Sequence, residues 1–145
     1  SKMFDDGFHV AHQFGHRIIV DTIRLVALVV APQIHGDDLA GIFAVCEPNA
    51  NGTLEALRNA GLNKKVKLIA FDPSDALIEA LGDVSCSGIV LQDPVQMGYQ
   101  AVKTLLGSLN GDKHEAFISK GEYVATPENM KEEKLETLLK PAILE

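Results

Sequence analysis

The 145 residues, 46% hydrophobic and 23% charged, have the balance of one globular domain with a buried core and exclude a disordered tail. Twenty acidic residues against 13 basic ones give a net charge of −7, and no basic run is longer than Lys64-Lys65. A phosphate backbone would find no basic stripe here, so nucleic acid is not an expected partner. The longest apolar run, Leu25 to Pro32, is far short of the roughly 18–20 residues a membrane span needs, so membrane insertion is not expected either.

At the start of the chain His9, His12 and His16 have i, i+3 and i+7 spacing, which on a helix would align three imidazoles as zinc or nickel ligands. Gly7 and Gly15 argue against a helix there, and no metal site is expected. From Arg17 to Ala31, Arg17, Asp21 and Arg24 recur on one arc while Ile18, Ile19, Ile23, Val26 and Val30 fill the opposite one. That pattern predicts a helix with one polar edge, although its β-branched content keeps a strand open, and Pro32 and Gly36 end it.

A clearer rhythm follows. The apolar run Gly41 to Cys46 predicts a buried strand, Thr53 to Ala60 a helix, and Gly61 its left-handed stop. The pair recurs as a strand from Val66 to Phe71 and a helix from Ser74 to Leu81 stopped by Gly82. It recurs again as a strand from Gly88 to Leu91 and a helix from Val95 to Leu109, where Val95, Gly98, Val102, Leu105 and Leu109 form one apolar stripe. The tail predicts a strand around Ala116 to Val124 and a helix opening at Thr126-Pro127-Glu128.

Strands that are apolar throughout, each followed by a helix, indicate an α/β fold: a mainly parallel sheet flanked by helices in a three-layer, Rossmann-like lobe. Parallel strands joined by right-handed crossovers put their carboxyl ends on one edge, where ligands of open α/β sheets sit. Those three ends carry Cys46-Glu47-Pro48, Phe71-Asp72-Pro73 and Gln92-Asp93-Pro94, an acid followed by proline at intervals of 25 and 21 residues. Each step alone reads as a helix opening, with the acid capping free amides and the proline fixing φ. Taken together they make a rim of Glu47, Asp72 and Gln92 with no cation, suited to the hydroxyls of a neutral polyhydroxylated ligand and repellent to phosphate. The sequence has no GxGxxG and no GxxxxGK[ST], and Gly107-Ser108-Leu109-Asn110-Gly111 closes a helix rather than opening one.

The blocks Leu39-Ala40-Gly41-Ile42-Phe43-Ala44, Ala50-Asn51-Gly52, Ala60-Gly61-Leu62, Ile69-Ala70-Phe71-Asp72 and Gln92-Asp93-Pro94-Val95-Gln96-Met97-Gly98-Tyr99 occur in series. Their order and spacing resemble the C-terminal lobe of type I periplasmic sugar-binding proteins, the ribose-binding-like receptors of ABC transporters, related to lactose-repressor-type effector domains. The likeness runs from about Asp38 to Pro141 and includes Gly121 to Asn129, giving a single lobe over 38–145 preceded by a weakly matched segment over 1–37. It implies a non-catalytic solute-binding protein without cofactor, with a sugar as ligand, an ABC permease as partner and a periplasmic or extracytoplasmic location. No basic-then-apolar leader opens the chain, and Ser1-Lys2 ahead of Met3 reads as an added remnant.

By position the resemblance makes Asp72 the ligand-binding aspartate and Gln92 the strand-end glutamine near the hinge. Glu47 keeps the acid of the family's polar pair, while Cys46 replaces its amide and departs from the pattern. Family receptors close two lobes on the ligand, and this chain has the length of one lobe or a truncated form, so weak binding is expected. The missing lobe leaves apolar surface and a bare sheet edge, from which a homodimer is expected.

The remaining candidates read as structural. Ser74 and Asp75 fit a helix start, Lys131 to Lys134 a solvated face, and His35 and His114 solvated loops. Cys46 and Cys86 are too few for a disulfide scaffold and are expected to be buried, inert thiols. An effector-binding lobe of a regulator is the alternative function, and a small α/β enzyme using Asp72 or Cys46 the third.

Overall fold

The computed structural model describes residues 8–13, 16–21, 39–119 and 121–140. Its centre is the predicted parallel set: β3 (Leu39–Ala44), β4 (Lys67–Phe71) and β5 (Gly88–Leu91). β3 pairs with β4, and β4 with β5, all parallel. β1 (Phe8–Gln13) and β2 (His16–Asp21) extend the sheet on one side, β2 parallel to β3 and β1 antiparallel to β2. β6 (Tyr123–Ala125) closes the other side antiparallel to β5, so the strand order is β1-β2-β3-β4-β5-β6. Gly41 lies where β3 crowds β4; a Cβ there would stand 3.0 Å from the Lys67 carbonyl oxygen.

The expected helix over 17–31 is overturned in its described part. Arg17 to Asp21 lie in β2, and residues 22–31 are outside the described residues. The consecutive β-branched side chains Ile18, Ile19 and Val20 favour an extended backbone, and two flanking strands supply its ladder bonds. His9 and His12 consequently stand on β1 and His16 on β2, so the helical spacing that would align them does not exist.

Four helices complete the described fold: α1 (Glu47–Asn59), α2 (Asp75–Gly82), α3 (Pro94–Leu109) and α4 (Glu133–Leu139). Ile42, Ala44, Leu68, Ala70, Ile89, Leu91 and Ala125 form one continuous core with Leu54 and Leu57 of α1, Leu77 and Leu81 of α2, and Leu135 and Leu138 of α4. At about 1.5–3 kcal/mol per fully buried aliphatic side chain, this layer dominates the stability of the fold. On the alternate strand positions Phe43, Ile69, Phe71 and Val90 are only half-buried, with Phe43 and Phe71 meeting edge-on at 6.5 Å. α3 buries none of its residues.

Boundaries shifted where capping differs from the simplest reading. α1 begins six residues before the expected Thr53 because Pro48 sits in its first turn, and Gly61 takes the left-handed position after its end, with φ of 66°. α2 runs through Gly82, and the left-handed residue is instead the β-branched Val84, with φ of 67°. The tail strand is shorter than expected, and Thr126 does not cap a helix. Asn129 accepts from the Thr126 amide at 2.7 Å and donates to the Val124 carbonyl at 3.1 Å. Those local bonds hold a turn in place of the first helical turn, so α4 starts at Glu133.

Candidate functional site

Because β3, β4 and β5 share a direction, Cys46, Asp72 and Gln92 fall one or two residues beyond their strands at one edge of the sheet. The three acid-proline steps do three different things there. Cys46 occupies the N-cap position of α1 in extended conformation without a side-chain cap bond, and Glu47 is the first helical residue. Asp93 caps α3, its Oδ1 accepting from the Gln96 amide at 3.0 Å. Asp72 caps nothing: it leaves β4 with φ of 64°, a left-handed conformation that aspartate tolerates, and Ser74 caps α2 in its place.

Asp72 remains tied to the sheet through its amide, which donates to the Val90 carbonyl at 3.0 Å. Among the described residues none donates to its carboxylate. Partial burial, and secondly the negative charge of Glu47, push its pKa above the ordinary carboxylate value. Asp72 is thus close enough to Glu47 to feel its negative charge, and its carboxylate has no internal donor. A ligand hydroxyl donating to Asp72 would supply one.

Glu47 is held from the opposite side. Asn51 Nδ2 donates to Glu47 Oε1 at 2.7 Å, Ser74 Oγ donates to Asn51 Oδ1 at 2.7 Å, and the Leu77 amide donates to Ser74 Oγ at 3.3 Å. The relay ties the start of α1 to the start of α2 and sets which way the Asn51 amide is turned. Sequence reasoning gave Ser74 and Asp75 as a helix opening, which the structure bears out, and missed Asn51. A helix known to begin at Glu47 would have put Asn51 one turn later, four residues on.

Gln92 is exposed at the same edge, without a hydrogen bond to Asp72. Cys46 is half-buried rather than fully buried as expected, whereas Cys86 is buried. The Cys86 thiol donates to the Gly88 carbonyl at 3.3 Å, and burial raises its pKa, so it is an inert thiol. Among the described residues no group of three or more His, Cys, Asp or Glu side chains could hold a metal ion. No helix among them is long and apolar enough to cross a membrane.

Residues 27–113, more than half of the chain, match the family model of the periplasmic binding protein domain. The chain belongs to this family. The ribose import binding protein of Haemophilus influenzae is 35% identical over 81 residues, which cover 56% of this chain and 27% of that relative. An ABC transporter solute-binding protein of Agrobacterium vitis, solved with D-fucose bound, is 34% identical with a TM-score of 0.72. A carbohydrate transporter solute-binding protein of Agrobacterium radiobacter, solved with D-arabinose, is 32% identical with a TM-score of 0.71. Both solved structures match 79% of this chain but only 39% of their own, so the chain spans about two fifths of their length. The mainly parallel α/β fold expected from the strand-helix series is therefore present, in the periplasmic-binding-protein-like form that the resemblance implies.

Proposed function

We propose that residues 38–145 form the sugar-binding lobe of an extracytoplasmic receptor for an ABC transporter, which captures a neutral polyhydroxylated solute and catalyses nothing. One observation carries this reading: Asp72 is free of capping duty, lies beside Glu47 at the shared strand edge, and its carboxylate has no donor among the described residues. Sugar hydroxyls donate to carboxylates and favour their ionised forms, whereas the paired negative charges repel phosphate.

In this reading Asp72 is the principal ligand contact, accepting from one or two hydroxyls. Glu47, oriented by Asn51 and Ser74, accepts from a third, and exposed Gln92 both donates and accepts at the rim. Cys46, half-buried next to Glu47, is a weak partner at the same edge. A receptor that closes from two sides excludes water and contributes contacts from both, so this lobe alone binds with Kd on the order of 1–10 mM. The permease recognises the closed receptor and is the expected partner of the complete assembly.

Amide chemical-shift perturbation by NMR, with D-fucose, D-arabinose and other pentoses and hexoses added to the 145-residue chain, tests the proposal. Saturable shifts around Asp72, Glu47 and Gln92, lost in Asp72→Asn, are expected. Absence of shifts for every sugar, or shifts unchanged in Asp72→Asn, overturns it.

A further inference from the structure

At the strand edge a half-buried side chain ties two loops together. Asn51 stands one helical turn after Glu47 on α1; its Nδ2 donates to Glu47 Oε1 at 2.7 Å, and its Oδ1 accepts from Ser74 Oγ at 2.7 Å. Ser74 is itself held, because its Oγ accepts from the Leu77 amide as the cap of α2. Chemistry dictates the direction of this chain of bonds. A carboxylate only accepts, so the Asn51 amide must turn its NH2 to Glu47 and its carbonyl to Ser74, whose hydroxyl supplies the remaining donor.

We propose that Asn51 is a positioning residue for the ligand: locked by Ser74, it holds Glu47 in one rotamer with Oε1 occupied and Oε2 left as the acceptor offered to a sugar hydroxyl. This rests on the sugar-binding reading of the same edge and names the residue that prepares one of its contacts. Preorganisation is the first support. A glutamate side chain has three rotatable bonds, and fixing them before the ligand arrives removes an ordering cost that a free carboxylate incurs on binding.

The anchor is the second. Ser74 lies 23 residues beyond Asn51, in the loop between β4 and α2 that also carries Asp72, so the Glu47 carboxylate is registered against that loop rather than against its own helix alone. Proximity is the third: the negative charge of Glu47 contributes, after partial burial, to the raised pKa of Asp72. Glu47 Oε2 has no hydrogen-bond partner among the described residues. The relay thus settles one oxygen of Glu47 and leaves the other to the ligand.

Two NMR measurements on the 145-residue chain test this. The first is a carboxyl carbon-13 titration without sugar in Asn51→Asp, which keeps an acceptor for Ser74 but sets a second carboxyl against Glu47. The pair should titrate in two coupled steps more than about one pH unit apart. The second uses D-fucose and D-arabinose, the sugars held by two solved relatives. Asn51→Leu, which favours the helix at least as well as asparagine, should weaken binding about 3- to 10-fold, and in a Glu47→Ala background it should cost nothing further.

Two independent, ordinary titrations in Asn51→Asp overturn the proposal. So does unchanged affinity in Asn51→Leu, and so does an equal loss in both backgrounds, which would mean that Asn51 acts without Glu47. A coupled titration in a chain that shifts with neither sugar keeps Asn51 as the residue that positions Glu47 and overturns the sugar-binding reading instead, so the two failures are told apart.

Discussion

The two sides of the sheet are similarly apolar in sequence and unlike in the fold. On one, Leu68, Ala70, Ile89 and Leu91 are sealed beneath α1, α2 and α4. On the other, Phe43, Ile69, Phe71 and Val90 are half-buried. α3, the longest of the described helices, buries nothing. Periodicity identifies which residues share a face, but a covering layer requires a partner at the right distance. Leu77, Ala80 and Leu81 of α2 are buried within the described residues, whereas the apolar stripe expected on α3 is not.

Substitutions can break this contrast. The largest effect is expected at Leu77, which has no exposure: Leu77→Ala should cost roughly 2–5 kcal/mol in chemical denaturation. Leu105→Ala, the same change at a position 61% exposed, should cost less than about 0.5 kcal/mol. Equal losses at the two sites would mean that α3 is packed after all.

Smaller changes sharpen the view of the site edge. Ser74→Ala removes the α2 cap and the donor to Asn51 together, and a loss of about 1–2 kcal/mol is expected by thermal unfolding, with Thr at the same position largely restoring it. Val84→Gly should raise stability by about 1 kcal/mol, because a β-branched residue is strained at φ of 67° and glycine is not.

The smallest effect on stability, and the most informative for function, belongs to Asp72. Its folded pKa is raised, so the folded state holds this proton more tightly than the unfolded chain does. Ionisation therefore opposes folding above the folded pKa, and that penalty fades as pH falls through the folded value towards the ordinary one. Asp72→Asn should leave neutral-pH stability unchanged or slightly improved, flatten this segment of the pH profile, and weaken sugar binding by about 10- to 100-fold. Loss of stability in that variant would mark Asp72 as a structural residue.

Much of this was legible in the residues. The strand Gly88–Leu91 and the stop at Gly61 follow from short apolar runs and turn chemistry, which are local signals. The edge that gathers Cys46, Asp72 and Gln92 follows from the parallel strand-helix rhythm alone. The β2 strand was hidden because a charged residue every third or fourth position imitates a helical edge, while the ladders that fix it as a strand come from its neighbours β1 and β3 rather than from its own residues. The start of α4 was hidden by Asn129, whose side-chain bonds displace the first helical turn. At the site, three acid-proline steps that look interchangeable in sequence divide into a first helical residue, an uncommitted carboxylate and a cap. That division depends on Ser74 lying two residues beyond Asp72.

The strands lie side by side in the same order in which they are encoded. Among the described residues every pairing of strands joins one strand to the next in the sequence, so none of these strands has to wait for a later one before it finds a neighbour. Such wiring lowers the loop-closure cost of assembly and suits growth on the ribosome, each emerging segment docking against the one made just before it.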